Sequence, residues 1–207
     1  MRLPIGDRKL EAADELATAL AWVALAANDA VRVTLLPGDG PAAPSPLFRH
    51  RASFPAFKAW LTRAPAQGAL DLGGALIEHA RRHPRSAATI VISDFLLEPE
   101  ALEPGVQALR ARRHEVVLLQ VIGRSELDPP VGLGAAELQD VESGAVHRVE
   151  CTDAVRARYR ALVAAHEASL RELALRNEAR WARLTSDADV ATFMTDDLAR
   201  LGLVRRR

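Results

Sequence analysis

The stretch Ala88-Thr89-Ile90-Val91-Ile92-Ser93-Asp94-Phe95-Leu96-Leu97 decides the predicted fold of this 207-residue chain. Its apolar run is short, continuous and rich in β-branched residues, and it breaks at Ser93 and Asp94, which is typical of a strand buried on both faces. Such strands belong to parallel sheets. In open α/β sheets ligands bind beyond the carboxyl ends of the strands, so Ser93 and Asp94 lie where a site is expected.

The segments around this strand predict an α/β fold in which helices flank a mostly parallel sheet. The predicted helices, which show apolar spacings of three and four, are Lys9–Asn28, Ser53–Ala64, Leu72–His83, Pro99–Arg113 and Asp153–Arg176, followed by a last helix from Ser186 or Asp187. Pro104 predicts a kink or a break in the helix Pro99–Arg113. The further predicted strands are Val31–Leu36, a short edge strand at Leu47–Arg51, Glu115–Ile122 and Trp181–Leu184. Glu137–Asp140 and Ala145–Val149 predict an added hairpin, with Val141–Gly144 as the turn.

Composition excludes several classes of protein. Basic and acidic residues number 27 each, so no overall field attracts nucleic acid or an anionic membrane. Cys151 is the only cysteine, which excludes an internal disulfide framework. The longest apolar run is well short of the roughly 20 residues that a membrane span needs. We expect one domain over residues 1–207 in the cytoplasm, with no membrane span and no nucleic-acid partner.

Few residues have the pattern of a catalytic or metal site. Asp94 at a strand end, with Ser93 beside it, could bind Mg²⁺, or either side chain could instead cap the following turn. Asp71 offers a second carboxylate, although an N-cap of the next helix is the simpler role. His79 and His83 lie four apart on one helix and could share a metal, but arginines crowd that helix end and histidine also suits its dipole.

Several segments together resemble the bacterial domain of unknown function 58 family, which has a von Willebrand factor A-like fold and is often encoded beside MoxR-type ATPases. They are Lys9–Val33, Gly68–Leu72, Ile92–Phe95, the strand after His114, and Leu138–Gly144, in which Leu138, Asp140, Glu142 and Gly144 are the most specific positions. The resemblance runs from about Met1 to the C-terminal helix. It implies a von Willebrand factor A-like, mostly parallel sheet flanked by helices.

The resemblance also implies a metal-ion-dependent adhesion site built from an Asp-x-Ser-x-Ser loop, a threonine and an aspartate. Asp94 matches the aspartate, Leu70 stands where the threonine is expected, and Met1 matches the methionine that commonly follows the first loop. Leucine offers no oxygen to a hard cation, so Asp94 is expected to be a vestigial ligand. No cofactor is expected, and Mg²⁺ only if the missing loop is restored. The central strand before that loop is also missing, so either the true start lies upstream or this is a degenerate domain that closes the gap by another route. We expect an incomplete N-terminus, and unpaired strands would make the chain poorly stable or oligomeric.

The resemblance and the lack of a catalytic constellation together predict a function. We expect a non-enzymatic protein-interaction module that acts with a MoxR-like AAA ATPase, with Ser93, Asp94 and Asp71 on the interaction surface. The alternative is a metal-dependent hydrolase that uses Asp94 and Asp71, with His79 and His83 as further candidates.

Overall fold

The computed structural model describes residues 7–37, 42–62, 70–127, 134–139 and 146–204, and only the backbone within 134–139 and 146–151. A single 3₁₀ turn at Arg51–Ser53 precedes the second helix. The elements in chain order are α1 (Lys9–Ala26), β1 (Thr34–Leu35), β2 (Ala43–Pro44), α2 (Phe54–Leu61), α3 (Leu72–Arg82), β3 (Ala88–Ser93), α4 (Pro99–Ala111), β4 (Glu115–Ile122), α5 (Arg124–Leu127), β5 (Gly134–Gln139), β6 (Val146–Cys151), α6 (Asp153–Arg176), β7 (Arg180–Thr185) and α7 (Val190–Arg200).

A parallel sheet of three strands, in the order β3-β4-β7, forms the centre of the α/β arrangement. The middle strand β4 is buried at every position after Glu115. Its side chains alternate, so Val116 and Leu118 belong to one buried cluster and Val117 and Leu119 to another. Helices α3, α4 and α6 contribute to the first cluster, and α1 and α7 contribute to the second. The predicted fold class is therefore confirmed, with helices on both faces of a parallel sheet.

Strand β3 is less buried than its continuous apolar sequence indicates. In β3 only Val91 is fully buried, while Ile90 and Ile92 are half-buried. Within the described part of the chain β3 pairs with β4 alone, so it lies at the edge of the sheet. The continuous apolar run correctly indicates a parallel sheet, but the strand that is buried on both faces is β4.

The segment before α2 forms a small antiparallel unit. Within the predicted strand Val31–Leu36, only the two residues of β1 form ladder hydrogen bonds with another strand. Their partner is β2, which lies in the proline-rich loop. The predicted edge strand Leu47–Arg51 contributes a single bridge, between Phe48 and Val31. The ladder is short because prolines donate no N–H, and the Ser45 hydroxyl accepts the N–H of Val33 at 3.0 Å in place of a backbone carbonyl.

Helix α1 connects the parallel sheet to this small unit. Its first half places Ala13 and Leu16 in the cluster that covers β4 and β7. Its second half places Ala21 and Leu25 in a third buried cluster with aromatic residues of the small unit and α2, including Phe57. The spacing of three and four residues thus produces one apolar stripe that two separate cores share.

The other elements confirm most of the predicted bounds. Helix α6 covers Asp153–Arg176 as predicted, and β5 and β6 pair antiparallel as the predicted hairpin, although its turn lies outside the described residues. Helix α4 passes through Pro104 without the predicted break. Helix α7 begins later than Ser186 or Asp187, because the Asp189 carboxylate caps it by accepting the N–H of Thr192 at 2.7 Å.

Candidate functional site

The candidate site begins with a tight turn at the carboxyl end of β3. The Ser93 hydroxyl accepts the N–H of Phe95 at 3.1 Å. Phe95 has a φ of 51°, a left-handed conformation that is costly for a bulky residue, and its ring is fully buried. Ser93 therefore has the turn-stabilising role that the sequence offered as one of its two interpretations.

Two side chains from other elements hold the same turn. The Gln120 side-chain amide of β4 donates to the carbonyl of Asp94 at 2.9 Å, and the His166 ring of α6 donates from Nε2 to the carbonyl of Phe95 at 2.8 Å. These bonds satisfy backbone carbonyls that a strand end leaves without partners. The position of Asp94 is thus fixed from two directions, by the sheet and by the helix that covers it.

The Asp94 carboxylate forms an ion pair with a buried lysine. Lys9 Nζ lies 3.3 Å from Asp94 Oδ2 and 2.5 Å from Glu126 Oε1. The Lys9 side chain is only 2% exposed, and those of Asp94 and Glu126 are 21% and 15% exposed. A buried ammonium is tolerated only when it is paired and hydrogen-bonded, and here two carboxylates from different elements compensate it.

Glu126 and the start of α1 are tied together by the loop after β4. The second carboxylate oxygen of Glu126 accepts the N–H of Gly123 at 2.8 Å, and the Asp7 carboxylate accepts from the N–H and the hydroxyl of Ser125. A Cβ at Gly123 would lie 2.1 Å from Asp7 Oδ2, so only glycine allows this approach. The hydroxyl of Tyr159 donates to the carbonyl of Glu126 at 2.7 Å.

Asp71 lies at the same end of the sheet as Asp94 but is already engaged. It is the N-cap of α3, and its Oδ1 accepts the N–H of Gly74 at 2.9 Å. Leu72 and Phe95, which follow the two aspartates, belong to one buried cluster. Leu70, at the position of the expected threonine, is 40% exposed and offers no oxygen. The N-cap role that the sequence suggested for Asp71 is confirmed.

The structure places the histidine candidates at the opposite end of β3. The rings of His79 and His83 lie 4.5 Å apart, and His114 completes a cluster of three histidines. The Nδ1 atom of His114 forms a hydrogen bond of 2.7 Å with the hydroxyl of Thr89, near the start of β3. Burial lowers the pKa of His79 to about 4, with help from the nearby histidines and an arginine. The strand rises about 3.3 Å per residue, so this cluster is roughly 15 Å from Asp94. The four residues of the hydrolase hypothesis are therefore not brought together.

The side chains at the carboxyl end of β3 do not fit a divalent cation. A hard cation requires six or more oxygen ligands, whereas Asp94 and Glu126 already pair with the ammonium of Lys9. In the part of the chain that the structure describes, no three histidine, cysteine, aspartate or glutamate side chains group closely enough to hold a metal ion.

The sequence interpretation missed three residues of this site: Lys9, Glu126 and Gln120. Lys9 begins an amphipathic helix, where a basic residue usually faces solvent, and Glu126 lies in a short helix without apolar periodicity. Gln120 did carry a signal, because it is the one polar residue inside the apolar run Val116–Ile122 and a polar residue in a buried strand needs a partner. Its partner, the carbonyl of Asp94, requires the tertiary structure.

An open cleft lies beside the site. It has a volume of about 550 Å³, and its lining includes Asp7, Arg8, Glu11, Arg124 and Asp187. Sites for small organic ligands are mostly apolar, with a few polar groups that orient the ligand. This cleft differs from such sites because it is lined largely by charges of both signs.

The comparisons with known proteins concern the family and the fold. The profile of the family described as protein of unknown function DUF58 matches residues 5–169. The structure of the conserved hypothetical protein BatB from Bacteroides thetaiotaomicron is similar, with a TM-score of 0.58 and 17% identity over 94% of this chain and 89% of that chain. An aerotolerance-related membrane protein from Bacteroides fragilis has a TM-score of 0.54 and 16% identity over 92% and 89%. No curated protein matches the chain significantly.

Likeness at this level of identity concerns the fold alone, and it agrees with the α/β arrangement described above. One of these proteins is described as a membrane protein. Among the described residues of this chain, no helix is long and apolar enough to cross a bilayer.

Proposed function

Because the chain belongs to the DUF58 family of proteins of unknown function, we propose that it is a non-enzymatic protein-interaction module of the von Willebrand factor A-like type. The proposed partner is a MoxR-like AAA ATPase, which the family resemblance suggests. The proposed contact surface is the carboxyl end of the sheet around Ser93, Asp94 and Asp71.

The observation that carries this proposal is that the polar side chains at the carboxyl end of the sheet already bond other groups of the chain. Lys9 pairs with Asp94 and Glu126, Ser93 closes the turn, and Asp71 caps α3. A general acid or base must reach a substrate proton, and a nucleophile needs a base within hydrogen-bond distance. In the described part of the chain Lys9 bonds two carboxylates, whereas Ser93 and Asp71 bond backbone N–H groups. These internal bonds suit a docking surface better than a reaction centre.

An exposed leucine next to the turn supports the same proposal. Leu96 follows Phe95 directly and is 56% exposed, which places an apolar side chain on the rim of the proposed surface. Apolar anchors surrounded by polar groups are typical of protein interfaces. Leu175 offers a matched control, because it is 80% exposed and lies near the last turn of α6. The neighbouring Arg176 and Asn177 bond Glu103 of α4, away from the Asp94 turn.

Binding of a purified MoxR-like ATPase from the same genome tests the proposal. Tagged chain on a sensor surface should bind the ATPase in the presence of ATP, and Leu96→Arg should weaken binding at least tenfold, a typical loss for an interface anchor. Leu175→Arg should bind as the wild type does. If neither protein retains the other, the partner assignment is wrong, and if both variants bind alike, the surface is wrong.

A further inference from the structure

The interior position of Lys9 is unusual for this chain. Only two of its 27 basic residues are lysines, Lys9 and Lys58. Lys58 is exposed, whereas Lys9 is the most buried charged residue described and is 3% exposed as a whole residue. Arginine is a planar fork that suits paired contacts, whereas lysine carries a compact point charge. The chain thus has a compact cation at a position where two carboxylates converge from separate elements.

The surroundings of Lys9 resemble a cation site more than an ordinary surface ion pair. Asp94 comes from the end of β3 and Glu126 from α5, and both carboxylates are mostly buried. Gln120, which holds the Asp94 turn, is 2% exposed, and its Oε1 has no hydrogen-bond partner among the described residues. Carboxylate and amide oxygens are the groups that hard cations prefer.

We propose that the Lys9 ammonium is the resident cation of this site and takes the electrostatic role of the divalent ion that the family resemblance implies. The ammonium is covalently attached to α1, so it offsets one of the two carboxylate charges without a metal from solution. Because its side chain is 2% exposed, the ammonium has no open position from which to bind a carboxylate of a partner. Any docking at this surface is therefore independent of divalent cations.

Removal of the ammonium should convert the site into a weak site for a divalent cation. Lys9→Ala leaves Asp94 and Glu126 together with the space that the lysine side chain filled. The probe is MgCl₂ at 10 mM, compared with NaCl of equal ionic strength, and the readout is the melting temperature. For a dissociation constant of about 1 mM, we expect MgCl₂ to raise the melting temperature of Lys9→Ala by about 3–6 °C.

Three control proteins define the result. The wild type and Lys9→Arg retain a cation at the site and should show no rise specific to MgCl₂. Lys9→Ala/Asp94→Asn lacks one of the two carboxylates and should lose the rise. A specific rise in the wild type, or no rise in Lys9→Ala, would overturn the proposal.

A refolding experiment covers the case in which Lys9→Ala does not fold in NaCl. The variant is diluted from urea into buffer with or without 10 mM MgCl₂, and recovered helix content is measured by circular dichroism. Recovery that requires MgCl₂ supports the proposal, and failure under both conditions contradicts it. Neither experiment uses the ATPase, so failure here is distinguishable from failure of the proposed function.

Discussion

Replacement of Lys9 by methionine should destabilise the fold strongly. Methionine has a similar length and can fill the apolar part of the same space, so the main loss is the charge. The change removes the ammonium that pairs with Asp94 and Glu126, whose side chains are 21% and 15% exposed. Removing one partner of a buried pair costs about 3–5 kcal/mol, and the residual exposure of the carboxylates favours the lower end, about 3 kcal/mol.

Urea unfolding followed by circular dichroism measures this loss as a shift of the midpoint at unchanged slope. For a chain of this size the melting temperature should fall by about 6–12 °C. Lys58→Met is the matched control and should change stability by less than about 0.5 kcal/mol, because Lys58 is exposed. Lys9→Met/Glu126→Gln should recover part of the loss, since it removes one stranded charge. A loss below about 1 kcal/mol in Lys9→Met would refute the assignment of a buried, paired ammonium.

Three further predictions concern other parts of the chain. Burial, followed by nearby basic groups, lowers the pKa of His79 from 6.5 to about 4, so the unfolded chain binds this proton at higher pH than the folded chain. The free energy of unfolding should therefore fall as the pH decreases from 6.5 to 4. In urea titrations, His79→Gln should remove about 2 kcal/mol of that fall. A variant with the same pH profile as the wild type would contradict this. Asp71→Ala should cost about 1 kcal/mol through loss of the α3 cap, whereas Asp71→Asn should retain stability, and equal losses would show that the cap is not the role of Asp71. Leu118→Ala should cost about 3 kcal/mol because Leu118 is fully buried in β4, whereas Leu96→Ala at the exposed rim should change stability by less than about 0.5 kcal/mol.

Much of the fold could be predicted from apolar spacing. The β-branched run of β4 and the long periodic pattern of α6 gave strand and helix bounds that the structure confirms. The small antiparallel unit could not be predicted in the same way, because Pro44 interrupts the pattern and the Ser45 hydroxyl replaces a ladder bond. The edge position of β3 depends on which strands pair with it, and apolar content alone does not determine pairing.

The candidate site could be predicted in part. The end of a parallel strand predicted a turn at Ser93 and Asp94, and the structure has the Ser93 hydroxyl closing that turn. The position of Asp71 before an apolar helix correctly indicated an N-cap. The partners in this ion pair could not be predicted, because Lys9 is 85 residues from Asp94 in sequence and Glu126 lies in the short helix α5 after another strand. The side-by-side arrangement of His79 and His83 follows from their spacing, but their distance from Asp94 follows from the direction of α3.

Selective chemical labelling of the two lysines tests most directly the central claim that a buried Lys9 ammonium closes this site. Native protein is treated briefly with formaldehyde and cyanoborohydride, digested at arginines, and analysed by mass spectrometry. Lys9 and Lys58 then fall in different peptides, so each provides its own signal. We expect Lys58 to be dimethylated while Lys9 stays unmodified, and both lysines to react in urea. Equal modification of both lysines in the native protein would contradict it.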